Sequence, residues 1–177
     1  MRRKRRKFLL VMVLFLIVII IVVSREYRKQ KVNQNVVTSL TNMVTVPETA
    51  DSQTPAYALS DSILGMARYT ILEIQDGQAT VSVTSPDLAS LFARYGGTTG
   101  GTWSSPEEFD ASVNAFLANI EAELQSADCP MMTTEVVVLL TQDGNVISNY
   151  ELADALYGGA LTLREQLTEA YEGGNGE

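Results

Sequence analysis

The order of apolar and polar positions divides the chain into a membrane-type segment and an outer domain. A basic block, residues 2–7, is followed by an unbroken apolar run over residues 8–23. As a helix this run is about 24 Å long, against about 30 Å for a bilayer core, so the stems of flanking basic residues must complete the span. The pattern predicts a transmembrane helix over residues 8–24, preceded by a basic tail over residues 1–7.

Basic residues flank the predicted span on both sides, and the larger group precedes it. Residues 1–7 carry six positive charges, whereas residues 25–31 carry four against Glu26, a net charge of three. The positive-inside rule then predicts a cytoplasmic N-terminus and an extracytoplasmic position for everything after Ser24. A cleaved signal peptide is the competing interpretation, but residues 22–24 match the small-residue cleavage pattern poorly. We therefore expect an uncleaved signal anchor in the cell membrane.

After the span, residues 25–56 are interpreted as a stalk and linker. Residues 47–55 are polar with a proline near each end, which is typical of an exposed linker. Apolar residues before the linker recur on one helical stripe, which either packs on the chain's own domain or pairs weakly with a second copy. Two heptads are too few to argue a coiled coil. The stripe contains Val32, Val36, Leu40 and Met43 or Val44.

The outer domain, residues 57–171, alternates between strand-type and helix-type periodicity. Asp-Gly pairs at residues 76–77 and 143–144 lie between β-forming segments, and each predicts a hairpin. Apolar positions at helical spacing from Phe109 to Leu124 predict one long amphipathic helix. Shorter helices are predicted before and after the first hairpin and at the C-terminal end. The order predicts an α+β fold, in which a curved antiparallel sheet packs on the long amphipathic helix.

The ends of the predicted helices carry local signals of their own. Ser105 followed by Pro106 and Glu108 forms a capping box at the start of the long helix. Ser85 is predicted to cap the short helix that follows the first hairpin. The glycine-rich tail, residues 172–177, is predicted to be disordered.

Charge is distributed very unevenly along the chain. The whole chain has a net charge of −8, yet residues 32–177 carry three arginines against twenty acidic residues, a net charge of −17. A domain this acidic repels nucleic acid, so we expect no nucleic-acid partner. The acidity fits either solubility at a cell surface or attraction to cations or to a basic partner.

Residues that carry chemistry are sparse. The chain has no histidine, which excludes the usual serine and cysteine triads, histidine-bound metals and imidazole bases. Cys129 is the single cysteine and cannot form an internal disulfide. We therefore predict a protein that is not an enzyme, with no catalytic, cofactor-binding or metal-binding residues. A small-ligand pocket, if present, is predicted to be lined by Tyr69, Trp103 and Phe116.

Four stretches carry a resemblance to a known family. They are residues 69–74 and 79–88 around the first turn, and residues 143–147 and 156–159 at the end of the domain. In these the chain resembles the small membrane-anchored outer domains of Gram-positive bacteria with the nuclear transport factor two-like, or cystatin-like, fold. The resemblance covers the whole outer domain. It implies a cone with a pocket between sheet and long helix, which serves as an enzyme site in some members and as a binding or assembly surface in others.

These observations predict a single-pass membrane protein of bacterial type whose acidic extracytoplasmic domain binds a partner or assists envelope assembly without catalysis. One alternative is a component of a secretion or conjugation apparatus, because the type IV assembly proteins share this layout. Another is a domain with a small-ligand pocket. The expected partners are the membrane and either another protein or a weakly associated second copy.

Overall fold

The computed structural model describes the backbone of residues 2–45, 55–96 and 104–174, and the side chains of residues 20–45, 58–96 and 104–169. The fold is α+β, as predicted, with a curved antiparallel sheet covered by helices. The described elements, in chain order, are α1 (Arg2–Val44), α2 (Pro55–Met66), β1 (Arg68–Gln75), β2 (Gln78–Pro86), α3 (Leu88–Tyr95), α4 (Pro106–Leu124), β3 (Met131–Leu140), β4 (Val146–Ile147), α5 (Tyr150–Leu156) and α6 (Ala160–Gly174).

The sheet has the strand order β1-β2-β3-β4, and each neighbouring pair is antiparallel. Both predicted hairpins are confirmed. Asp76 and Gly77 turn between β1 and β2 with φ values of 50° and 77°, and Gly144 in the β3–β4 turn has a φ of 85°. Glycine adopts these positive φ values at little cost, which is why Asp-Gly is a reliable turn signal. Alternate residues of β2 face the core, as its period-two pattern predicts.

A β-bulge interrupts β1, the strand at one edge of the sheet. Ile71 lies opposite Val81 while Glu73 lies opposite Thr80, so Leu72 is the extra residue. The insertion allows Ile71 and Ile74 to pack against the core although they are three positions apart. Leu72 itself stays 50% exposed beside the edge of the sheet.

The second half of α1 packs on the inner face of the sheet. Val36 and Leu40 are completely or almost completely buried in a cluster with the inward residues of β2 and β3 and with α5. The apolar stripe therefore packs on the chain's own domain, which was the first of the two alternatives. The folded unit accordingly includes residues 32–44, which the predicted boundary at residue 57 leaves out. No glycine or proline interrupts residues 2–44, so α1 continues as one helix.

The long amphipathic helix, α4, does not cover the sheet, and this part of the predicted architecture is wrong. Ser105 caps α4 as predicted, accepting from the backbone N–H of Glu108 at 3.2 Å. Its apolar residues pack in a separate helical cluster with α2 and α3. α1 and α5 already cover the inner face of the sheet, so the apolar stripe of α4 packs against the short helices α2 and α3 instead. The members of this cluster include Ile63, Leu91, Phe116, Ile120 and Leu124.

The junction of β2 with α3 and α5 is held by close backbone contacts. Ser85 is fully buried, and its hydroxyl donates to the carbonyl of Ala155 at 2.6 Å, so it does not cap α3 as predicted. Asp87 caps that helix instead. Gly158 has a φ of 66°, and a Cβ at this position would lie 2.0 Å from the carbonyl oxygen of Pro86. Only glycine combines this backbone conformation with such a close approach.

Some predictions fall on residues outside the described ranges. Among the residues whose side chains the structure describes, no helix is long and apolar enough to cross a membrane. Most of the predicted span, residues 8–24, lies outside the residues whose side chains are described, so the span stays a prediction. The greater part of the predicted linker, residues 47–54, is also outside the described residues. At the other end α6 continues to Gly174, and residues 175–177 of the predicted tail are not described.

Candidate functional site

A groove with a volume of about 670 Å³ lies between α1 and the edge strand β1. We call it the α1–β1 groove. One wall belongs to the part of α1 that follows the predicted span, and the other to the bulged part of β1. The lining residues are Arg28, Lys29, Gln30, Val32 and Asn33 of α1, and Ile71, Leu72, Glu73 and Ile74 of β1.

The β3–β4 turn positions α1 on one side of this groove. The side-chain amide of Asn35 donates to the carbonyl of Asp143 at 2.5 Å. Gly144 approaches Val32 so closely that a Cβ on the glycine would lie 2.9 Å from the Cα of Val32. The two contacts hold the helix against the turn and determine where the helical wall of the groove stands.

On the other side, Tyr69 joins α1 to β1. Its hydroxyl lies 2.8 Å from the hydroxyl of Thr41 and donates to the backbone carbonyl of Val37 at 3.1 Å. Its ring packs against the main hydrophobic cluster. Tyr69 therefore fixes the separation of helix and strand, and it is not among the residues that line the groove.

The helical wall of the groove is positively charged. Arg28 and Lys29 belong to the basic stretch 25–31, whereas residues 32–177 have a strong negative charge. Lys29 lies 3.4 Å from Glu26, but both side chains are exposed and such a pair contributes only about 0–1 kcal/mol. A ligand carboxylate can replace Glu26 at little cost. The groove thus presents positively charged side chains to an anionic ligand, on a domain that otherwise repels anions.

The residues predicted to line a small-ligand pocket do not come together. Tyr69 packs in the cluster between sheet and α1, while Phe116 packs in the helical cluster. Phe116 meets the ring of Phe92 edge to face, with centroids 5.6 Å apart. Both aromatic rings are thus structural in the described part of the chain. Trp103 lies outside the described residues.

A polar cluster at the junction of α3 and α4 contains Arg94 and Tyr95, and the pKa of each is raised. The guanidinium of Arg94 pairs with the carboxylate of Glu123, which also accepts a hydrogen bond from the hydroxyl of Tyr95 at 2.7 Å. That hydrogen bond raises the pKa of Tyr95, and burial adds to the effect. Burial and then the charge of Glu123 raise the pKa of Cys129, so its thiol stays protonated at neutral pH. This cluster joins two helices and offers no activated nucleophile.

The carboxylate of Asp154 lies beside a cleft of about 370 Å³ between α5 and α6. It accepts hydrogen bonds from the backbone N–H of Leu161 at 2.8 Å and from the backbone and hydroxyl of Thr162 at 3.1 and 2.6 Å. Asp154 is therefore engaged at the start of α6. Burial raises the pKa of the nearby Tyr150, followed by a hydrogen bond with Glu165. Within the described residues, no group of three acidic or cysteine side chains is arranged to hold a metal ion.

The outer face of the sheet exposes apolar side chains near β4. Val137, Leu139 and Ile147 are each about half exposed, and Leu139 pairs directly with Ile147. β3 contains the apolar run from Val136 to Leu140, which is typical of a strand that is covered on both faces. The strand does lie inside the sheet order, but its outward side chains have no layer over them in the described part of the chain.

Comparison with protein-family models, with curated proteins and with solved structures finds no match for this chain. The resemblance to the nuclear transport factor two-like fold therefore stays a prediction. Sequence reasoning also did not find the α1–β1 groove. The basic stretch after the span was the one signal available, and it was interpreted only as evidence for orientation.

Proposed function

We propose that the chain is a single-pass membrane protein with a cytoplasmic N-terminus and an extracytoplasmic, non-enzymatic domain that binds a partner through the α1–β1 groove. The charge pattern around residues 8–24 supports the anchor. The lack of histidine and the structural engagement of Glu123 and Asp154 support a role without catalysis. The cystatin-like family assignment belongs to the same proposal, supported by the curved antiparallel sheet.

One observation carries this proposal, namely that the groove belongs to the helix that leads out of the predicted span. α1 is continuous from Arg2 to Val44, and its last third is packed in the domain core. Arg28 and Asn33 lie four and nine residues beyond the predicted end of the span, which is about 6 Å and 14 Å along a helix. With the span in a bilayer, the groove stands just outside the membrane, where another envelope protein can reach it.

Site-specific photo-crosslinking in cells that make the full chain tests the proposal. A photoreactive residue at Leu72 reports on the groove, and one at Val137 is the matched control. Both positions are apolar strand residues, 50% and 53% exposed. We expect discrete adducts with a second protein from Leu72, their loss in an Arg28→Glu variant, and little adduct from Val137. More adducts from Val137 than from Leu72 would assign the binding site to the outer face of the sheet. The absence of adducts from both positions would contradict a binding role.

A component of a secretion or conjugation apparatus is the alternative function that this layout supports. The specific observation in its favour is the continuity of α1, because a stiff connection holds a domain in one orientation relative to the membrane, as an assembly needs. The identity of the adducts from Leu72 separates the two possibilities. Adducts with several other membrane proteins of one complex favour the apparatus, and adducts with one soluble partner favour a simple binding domain.

A further inference from the structure

The α1–β1 groove runs along the free edge of a strand. Its lining residues on β1 are four in a row, from Ile71 to Ile74. Around the bulge, Ile71 and Ile74 pack against the core whereas Leu72 and Glu73 are exposed, so a groove that contacts all four follows the edge of the strand and not one face. β1 pairs with β2 on its other side only, within the described strands. In the described part of the chain, no backbone hydrogen bond joins this free edge to another element.

An edge of this kind has unpaired backbone donors and acceptors, which is the arrangement that accepts an added strand. The bulge at Leu72 and the charge of Glu73 are features that prevent indiscriminate pairing of edge strands. They do not close the edge, because β1 has eight residues and its groove is open to solvent. The edge is therefore suited to a selective partner.

The facing wall determines the chemistry of that partner. Arg28 and Lys29 provide charge, and Gln30 and Asn33 provide amides that can donate to carboxylate or carbonyl oxygens. Val32 is the one apolar side chain on this wall among the described lining residues. A lipid acyl chain would be poorly matched to so polar a wall, whereas an extended peptide with carboxylates would satisfy it.

We propose that the groove binds an extended peptide segment that adds to β1 as a strand and places acidic side chains toward Arg28 and Lys29. The inference rests on the proposed function, since it names the partner class of the same groove. Glu73 is the only acidic residue among the described lining residues, and it disfavours a uniformly acidic peptide. The preferred sequence alternates acidic with apolar residues, because alternate side chains of the added strand point to opposite sides.

Peptide binding to the full chain in phosphatidylcholine nanodiscs tests the charge requirement. The probe is a fluorescein-labelled peptide of eight residues, matching the length of β1, that alternates valine with aspartate. The matched control peptide alternates valine with lysine. We expect the acidic peptide to bind and the basic one not to bind, with affinity falling about tenfold in Arg28→Glu and in Lys29→Glu. Arg164→Glu, an equal change of charge on α6, should leave the affinity unchanged.

Hydrogen exchange tests strand addition itself. The acidic peptide should slow the exchange of alternate backbone amides in residues 70–74 and leave β4 unaffected. Equal affinity in the Arg28→Glu and parent chains, or peptide binding without protection of β1, would overturn the inference. So would protection of β1 by nanodiscs containing phosphatidylglycerol without any peptide, which would assign the groove to an anionic lipid.

Failure of this inference and failure of the proposed function are distinguishable. Adducts from Leu72 in cells, combined with no binding of the acidic peptide, would retain the groove as a binding site and reject the acidic strand as its ligand. Loss of both signals would reject the site altogether. The circular dichroism spectrum of each variant confirms that altered binding does not come from unfolding.

Discussion

Val36→Ala should destabilise the domain by about 2 kcal/mol, although it lies in the segment that the sequence assigns to a stalk. Val36 is 0% exposed. Removing two methyl groups forfeits about 1.6 kcal/mol of burial, and the cavity left behind adds about 1 kcal/mol. Alanine regains about 0.5 kcal/mol because it is the better helix former. The net loss applies only if this part of α1 is folded against the sheet.

The next residue supplies a matched control. Val37 stands on the same helix but is 42% exposed, so the identical substitution there removes little buried surface. Its loss of burial and its gain in helix propensity nearly cancel, and the free energy of unfolding should stay within about 0.5 kcal/mol of the parent value.

Urea unfolding of the full chain in mild detergent, followed by far-ultraviolet circular dichroism, measures both changes. The midpoint should fall for Val36→Ala with an unchanged dependence on urea, which identifies a loss of stability without a change in the unfolded surface. Equal effects of the two substitutions, or none from either, would refute the assignment of residues 32–44 to the core.

Three other substitution experiments test the remaining structural assignments. Gly158→Ala should lower the free energy of unfolding by about 3 kcal/mol or more, because of the positive φ and the backbone clash at this position. Gly65→Ala, on an open helical surface, should instead raise it by about 0.5–1 kcal/mol. Thermal unfolding measures both changes. Ser85→Ala should cost about 1–3 kcal/mol in the same assay, since its partner carbonyl loses a buried donor. The raised pKa of Cys129 predicts that its thiol reacts more slowly with a disulfide reagent than an ordinary exposed cysteine, and that the rate increases as the pH rises. Glu123→Gln removes a charge that raises this pKa, so reaction should begin at lower pH; an unchanged profile would contradict that cause.

Several parts of the fold follow from local signals in the sequence. The two Asp-Gly turns need positive φ values that few other residue pairs adopt easily, so the hairpins are predicted correctly. The cap at Ser105 and the period of the following helix are equally local, because their hydrogen bonds and side-chain spacing involve residues within one or two turns. The basic and apolar order of residues 2–24 predicts a membrane anchor by the same kind of short-range reasoning.

Other features depend on contacts between residues far apart in the chain. An amphipathic stripe shows that a helix must bury one side but does not show against what. The stripe of α1 therefore left two alternatives open, and the stripe of α4 was assigned the wrong surface. Ser85 resembles a helix cap in sequence, yet it is a buried donor to a carbonyl seventy residues later. The bulge at Leu72 depends on how β1 pairs with β2. A residue is extra only in relation to the opposite strand, so the bulge is defined only once the two strands pair.

The sequence by itself predicts a membrane anchor and determined the helices and the hairpins, because apolar runs, helical or strand periodicity and turn chemistry act over a few residues. Tertiary structure alone decided that α1 is both the predicted anchor helix and a core helix, and that it faces the free edge of β1 across a groove. The physical reason is that the groove lies between two surfaces, one on α1 and one on β1, which are separated by a gap. Its depth and lining depend on the contacts of Asn35 and Tyr69 that hold α1 in place, and no local pattern encodes those contacts.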